Sequence, residues 1–130
     1  MAQAPGAPER MQGMVPGVRA GGFLFLSAIR GRDAATNTMP DDPYEQAVRA
    51  LDNVRAVLGG SGATLADVVK VTLYLSDLEK RHAFHTAWQE AFPVDPPARI
   101  AVGVADANAS PGGNAHFALD VVALDPRASR

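Results

Sequence analysis

The chain has 130 residues, 47% of them hydrophobic and 20% charged, with 12 basic against 14 acidic side chains and a net charge of −2. That length suits one domain, the balance is globular and not disordered, and the charge supplies no basic face for a nucleic-acid duplex. The absence of cysteine excludes a disulfide scaffold, thiolate-bound zinc, iron–sulfur clusters and a cysteine nucleophile.

Residues 1–13, rich in Ala, Pro, Gly and Gln, read as a flexible arm. They lack the basic and apolar regions of a signal peptide, and no apolar run approaches the ~20 residues that cross a bilayer. A cytoplasmic protein without a membrane partner is the expectation. Residues 14–125 read as one domain without internal repeats, and residues 126–130 as a short tail.

Within the domain, Gly21-Gly22 stands between two apolar stretches of Val15–Ile29, the signal of a tight β-hairpin. Phe23-Leu24-Phe25-Leu26 does not alternate, which predicts a strand buried on both faces. Gly31–Pro40 is polar loop. Asp42-Pro43-Tyr44-Glu45 then combines an N-cap carboxylate, a proline in the first turn and a glutamate three residues on. Ala47, Ala50, Leu51, Val54, Val57 and Leu58 follow at helical spacing, and Gly59-Gly60 is predicted to end the helix in the left-handed conformation.

Thr64–Asp67 reads as a capped turn. Val68–Leu75 alternates, with Val69, Val71, Leu73 and Leu75 on one face and Lys70, Thr72 and Tyr74 on the other, hence a strand. Ser76 or Asp77 is predicted to cap a second helix whose stripe is Phe84, Ala87, Trp88 and Ala91. Pro93, Pro96 and Pro97 forbid its extension beyond about Phe92. Ala98–Val104 is a strand, Ala105–Gly113 a loop, and His116–Leu124 the last strand.

The predicted order is β-β-α-β-α-β-β, with parallel pairing across each strand–helix–strand crossover. Two helices cover one sheet face only. The other, carrying Val68, Tyr74, Ala118 and Val122, is too apolar for water, which predicts an oligomer.

For chemistry, Gly59-Gly60-Ser61-Gly62 follows a helix and precedes no lysine, so it is no phosphate loop; nor is there a dinucleotide fingerprint. Ser27 lacks a nucleophile elbow. His82, His85 and His116 with Asp120 are the sole candidates for a metal site, but without a ligand spacing that requires one; solvated or half-buried histidines explain them as well, and neither metal nor cofactor is expected. Arg99 is a lone charge opening an apolar strand behind two prolines. Its planar fork suits either a ligand carboxylate or an internal salt bridge.

Several segments together carry a resemblance: Val18–Ser27; Gln46 with Leu51-Asp52-Asn53-Val54; Gly62–Leu75; Phe92; and Pro97-Ala98-Arg99. In combination and order they resemble the RidA/YjgF family, the endoribonuclease L-PSP-like imine deaminases, over roughly Val15 to Leu124. The resemblance implies a chorismate-mutase-like (bacillus-type) α+β fold, a mixed sheet with two helices on one face, assembled as a homotrimer with clefts between subunits. It implies that Arg99 clamps the carboxylate of a 2-imino or 2-enamino acid, that backbone groups of Ser27-Ala28 contact the ligand, and that a last-strand glutamate handles the attacking water. The products would be ammonia and a 2-oxo acid, without a cofactor.

The chain departs from that pattern. Ala118 stands at the glutamate position, Ala28 and Ile29 replace the glycine and glutamine after the serine, Met14 replaces the stacking aromatic, and His85 replaces an asparagine. Ala118 cannot transfer a proton. Asp120, about 7 Å further along the same strand face, and His85, with its near-neutral unperturbed pKa, are the substitutes at hand. Binding without turnover is the alternative. A ribonuclease would need a cationic track, and neither the net charge nor any Lys/Arg run in the sequence supplies one.

Overall fold

A computed structural model describes residues 1–110 and 112–128. Along the chain come β1 (Gly17–Ala20), β2 (Phe23–Leu26), α1 (Pro43–Gly59), β3 (Val68–Leu75), α2 (Arg81–Ala91), β4 (Ala98–Gly103) and β5 (Phe117–Leu124), with short 3-10 turns at Leu65–Asp67 and Leu78–Lys80. Gly21 and Gly22 both take positive φ, 60° and 87°, the turn a tight antiparallel hairpin needs. Residues 1–13 form turns and no helix or strand, yet Ala4 is buried and the Met1 amino group donates to the Gly17 carbonyl.

Helix α1 starts as its sequence predicts: the Asp42 carboxylate accepts from the Glu45 N–H at 3.0 Å, and Pro43 fills the first turn. Its end differs. Gly60 stays right-handed at φ −63°, and the left-handed residue is Gly62 at φ 77°. The carbonyl of Leu58, accepting from both Ser61 and Ala63, prolongs the turn. Asp77 caps the 3-10 turn and not α2, whose N-terminus has no side-chain cap.

The sheet order is β1-β2-β5-β3-β4. Only β3 and β4 are adjacent parallel strands; β5 runs antiparallel to both β2 and β3. The crossover through α1 therefore joins parallel strands that are not neighbours, because β5 inserts between them. A register shift between Val68 and Lys70 is a bulge that turns Val68 inward and leaves Val69 41% exposed, reversing the faces expected for these two valines.

Both helices pack on one face of this mixed sheet. Leu24 and Leu26 of β2, Val71, Leu73 and Leu75 of β3, and alternate residues of β5 from Phe117 to Ala123 form one core with the helix stripes. Phe84 packs its ring 5.2 Å from that of Phe117. The other face has no cover in the single chain. Val18, Phe25, Ile100 and Leu124 are 45% to 54% exposed there, beside half-buried Phe23, Tyr74, Val102 and Val122. Strand β2 is thus buried on one face only, contrary to its unbroken apolar run. Ala118 is itself buried, and Val68 does not belong to this face. No helix is long and apolar enough to cross a membrane among the described residues.

Candidate functional site

Arg99 pairs in register with Val71, and so its side chain lies on the helix side of edge strand β4. There the guanidinium stacks over the Trp88 ring, 4.8 Å from its centroid, and Nη2 stands 3.1 Å from Nδ1 of His85. Both partners come from α2, where His85 and Trp88 are three residues apart and share a face. Arginine can only donate, so His85 Nδ1 accepts and the neutral ring carries its proton on Nε2. Burial against these groups draws the Arg99 pKa down from its ordinary value, far too high for the charge to be lost.

Arg99 forms no ion pair among the described residues; the three that occur are Arg19–Asp125, Arg49–Asp33 and Arg55–Asp52. Of the two partners its sequence context allowed, an internal acid is absent there. What remains is an exposed fork, braced on one side by an indole and on another by an imidazole, with donors left over for a planar anion.

Asp120 and Ala118 lie elsewhere. They pair in register with Thr72 and Tyr74, on the uncovered face opposite to Arg99, and Asp120 is exposed. Met14 and Ala28 lie in a third place, a cleft of about 470 Å³ between the arm, the chain after β2 and the loop before β5. Ser27 is next to this lining in the chain without being part of it: its N–H donates to the Pro16 carbonyl at 2.9 Å, and its own carbonyl is 3.5 Å from Arg10 Nη2. Ile29 makes a two-way backbone bridge with Leu119 and buries its side chain in the floor.

One chain therefore brings together Arg99 with His85, and Met14 with Ser27 and Ala28, but does not join these groups to each other or to Asp120 and Ala118. The histidines also disperse. His116 meets Lys80 Nζ through Nδ1 and the Asp41 carbonyl through Nε2, while His82 is exposed. Among the described residues no three His, Asp or Glu side chains are grouped to hold a metal.

The sequence reading missed three residues of the cleft, Arg10, Arg30 and Arg32. No Lys/Arg run marks them, because the three line one cleft from positions up to 22 residues apart in sequence. The available signal was Arg30-Gly31-Arg32: Gly31 is buried, and a Cβ there would collide with the backbone of Gln46.

Comparison with known proteins gives consistent results. The model of the Endoribonuclease L-PSP family matches residues 4–123. A RutC family protein of Pyrococcus abyssi is 35% identical over 99 residues, 75% of this chain and 78% of the relative. A protein of Dermatophagoides farinae named 2-iminobutanoate/2-iminopropanoate deaminase is 34% identical over 103 residues, 78% of this chain and 80% of its own. The crystal structure of RidA from an Antarctic Psychrobacter superposes with a TM-score of 0.85 at 26% identity, over 95% of this chain and 97% of that one.

Proposed function

The chain belongs to the endoribonuclease L-PSP family, the RidA/YjgF proteins, and from that premise we propose that it binds a small 2-imino or 2-enamino acid in clefts between the subunits of a homotrimer and hydrolyses it. The observation that carries this reading is Arg99, stacked on Trp88, bonded to His85 and paired with no acid among the described residues. A deaminase named for 2-iminobutanoate among the relatives supports the reaction class.

In this reading the fork of Arg99 takes the substrate carboxylate. Water adds to the imine carbon, the C–N bond breaks, and a 2-oxo acid and ammonia leave. The apolar face of the sheet supplies the surface on which copies of the chain meet. Arg99 and His85 on one subunit then complete the Met14–Ser27–Ala28 cleft of another, which supports a site that a single chain leaves divided. His85 is the proton carrier beside the clamp, since its Nε2–H is left for the ligand side. Asp120 reaches such a site only from a different subunit than the clamp, because it stands on the opposite sheet face from Arg99.

A second reading, binding without turnover, is supported by Ala118, a buried methyl group at the position where the resemblance implies a glutamate. Ammonia release from freshly generated 2-iminobutanoate separates the two. The deaminase reading expects turnover that falls at least tenfold in both Arg99→Ala and His85→Ala. Turnover unaffected by Arg99→Ala overturns both readings. Absence of turnover with 2-oxobutanoate binding that Arg99→Ala abolishes establishes the second.

A further inference from the structure

Arg10, Arg30 and Arg32 line one cleft, and none forms an ion pair among the described residues. Each is instead tethered to a backbone carbonyl. Arg10 Nη1 donates to Ala28 at 2.6 Å and Nη2 reaches Ser27 at 3.5 Å; Arg30 Nε donates to Ala107 at 2.6 Å; Arg32 Nη1 donates to Asn37 at 2.8 Å. A guanidinium has five N–H donors, so every one of the three keeps several in hand.

The backbone beneath the pair is fixed from α1. Buried Asn53 donates its Nδ2 to the carbonyls of Arg30 and of Arg32, both at 2.8 Å, and Gly31 between them presses on the Gln46 backbone. The backbone of Arg30 and Arg32 is thus anchored to α1, while the Arg32 side chain itself is exposed. Burial lowers the pKa of Arg10 and Arg30, and each is lowered further by a neighbouring guanidinium, Arg30 acting on Arg10 and Arg32 on Arg30. Arg30 therefore stands between two like charges, that of Arg10 and that of Arg32.

Two acids stand near. Glu9 lies on the cleft wall and is exposed. Asp106 acts on Arg30, but its Oδ1 already accepts from the N–H and the side-chain amide of Asn108. Gathering three cations against so little negative charge costs stability, and an anion in the cleft relieves it. The floor beside them is apolar, with Ile29, Val57 and Met39, so the space takes a molecule with a carbon skeleton as well as charge.

We propose that this cleft holds a second acidic group of the ligand, a carboxylate or a phosphate, so that the substrate is a doubly acidic 2-imino or 2-enamino acid and not a simple aliphatic one. The proposal rests on the preceding reading insofar as Arg99 takes the first carboxylate. Arg10 then stands where its bonds already occupy the carbonyls of the Ser27-Ala28 pair, and it presents to the ligand a charge in place of those bare backbone groups.

Calorimetric titration of the intact protein with 2-oxobutanoate, 2-oxoglutarate and 3-phosphohydroxypyruvate tests this. The two doubly acidic compounds are expected to bind roughly tenfold or more tightly than 2-oxobutanoate, as a second charge-assisted contact implies. Whichever binds tighter identifies the second group as carboxylate or phosphate. In Arg30→Gln/Arg32→Gln that preference disappears, while in Arg99→Ala all three compounds weaken. Equal binding of all three, or a preference that survives the double substitution, overturns the proposal.

Inorganic pyrophosphate separates this proposal from the reading it rests on. Wild type and Arg99→Ala bind it and Arg30→Gln/Arg32→Gln does not, even where 2-oxobutanoate fails to bind at all. No binding of pyrophosphate to wild type sinks the anion cleft alone. Arg10→Gln, remote from α1, is read in the same way should the double variant not fold.

Discussion

A single arginine on an edge strand is held by stacking and by a ring nitrogen, not by an acid, and this makes its geometry matter as much as its charge. Arg99→Lys keeps the cation but removes the fork and most of the contact with Trp88. Binding of 2-oxobutanoate is expected to weaken about tenfold in that variant, read by calorimetry, with the melting temperature close to wild type. Gly31→Ala acts through the backbone: its Cβ meets the Gln46 carbonyl, and a clash of this kind in a packed site costs about 1–3 kcal/mol, measurable by urea unfolding. At this scale the sequence was partly legible. Arg99 stood out because an uncompensated charge inside an apolar strand needs a reason. Its bond to His85 was not legible, since nothing in either segment says how β4 lies against α2, and the convergence of Arg10 with Arg30 and Arg32 depends on how the arm folds back.

At the scale of elements, α1 is the organiser of the cleft. Besides Asn53 it contributes Gln46, which is fully buried and makes three bonds to two separate segments: Nε2 donates to the Pro40 and Asn114 carbonyls, both at 2.7 Å, and Oε1 accepts from the His116 N–H at 2.8 Å. Gln46→Ala strands these groups, at about 1–3 kcal/mol for each one left unpaired. The nearby exposed substitution Glu45→Ala is expected to change stability far less, since the Glu45 contribution to the cap is its backbone N–H. Chemical denaturation of the two variants checks the contrast. The helices were readable because apolar stripes are local signals, as is the Asp42-Pro43 start of α1; the cap expected for α2 instead closes the 3-10 turn before it. The bulge after Val68 and the insertion of β5 between β2 and β3 were not, because both are properties of a partner strand. The same holds for Gly62, whose left-handed turn depends on the Leu58 carbonyl receiving two N–H groups.

For the whole molecule, the decisive feature is a sheet with one face packed and the other apolar and bare. The alternation of β3 and β5 already implied two faces and only two helices to cover them. The unbroken apolar run Phe23–Leu26 overstated the burial of Phe25, which is 46% exposed in the single chain. In the proposed trimer that face is the contact, so Phe25→Asp or Ile100→Asp is expected to yield monomers by sedimentation, and with them the loss of 2-oxobutanoate binding as the divided site falls apart. A monomer that still binds the ligand at wild-type affinity contradicts the shared cleft. The strand order has a consequence for how such a sheet is made. The β1–β2 hairpin and the β3–β4 pair share no ladder until β5, the last strand in the chain, slots between them. A growing chain short of residue 117 therefore holds two sheet fragments with raw edges and no centre. The sheet is continuous only with β5 in place; without it the facing edges of β2 and β3 are open to pairing.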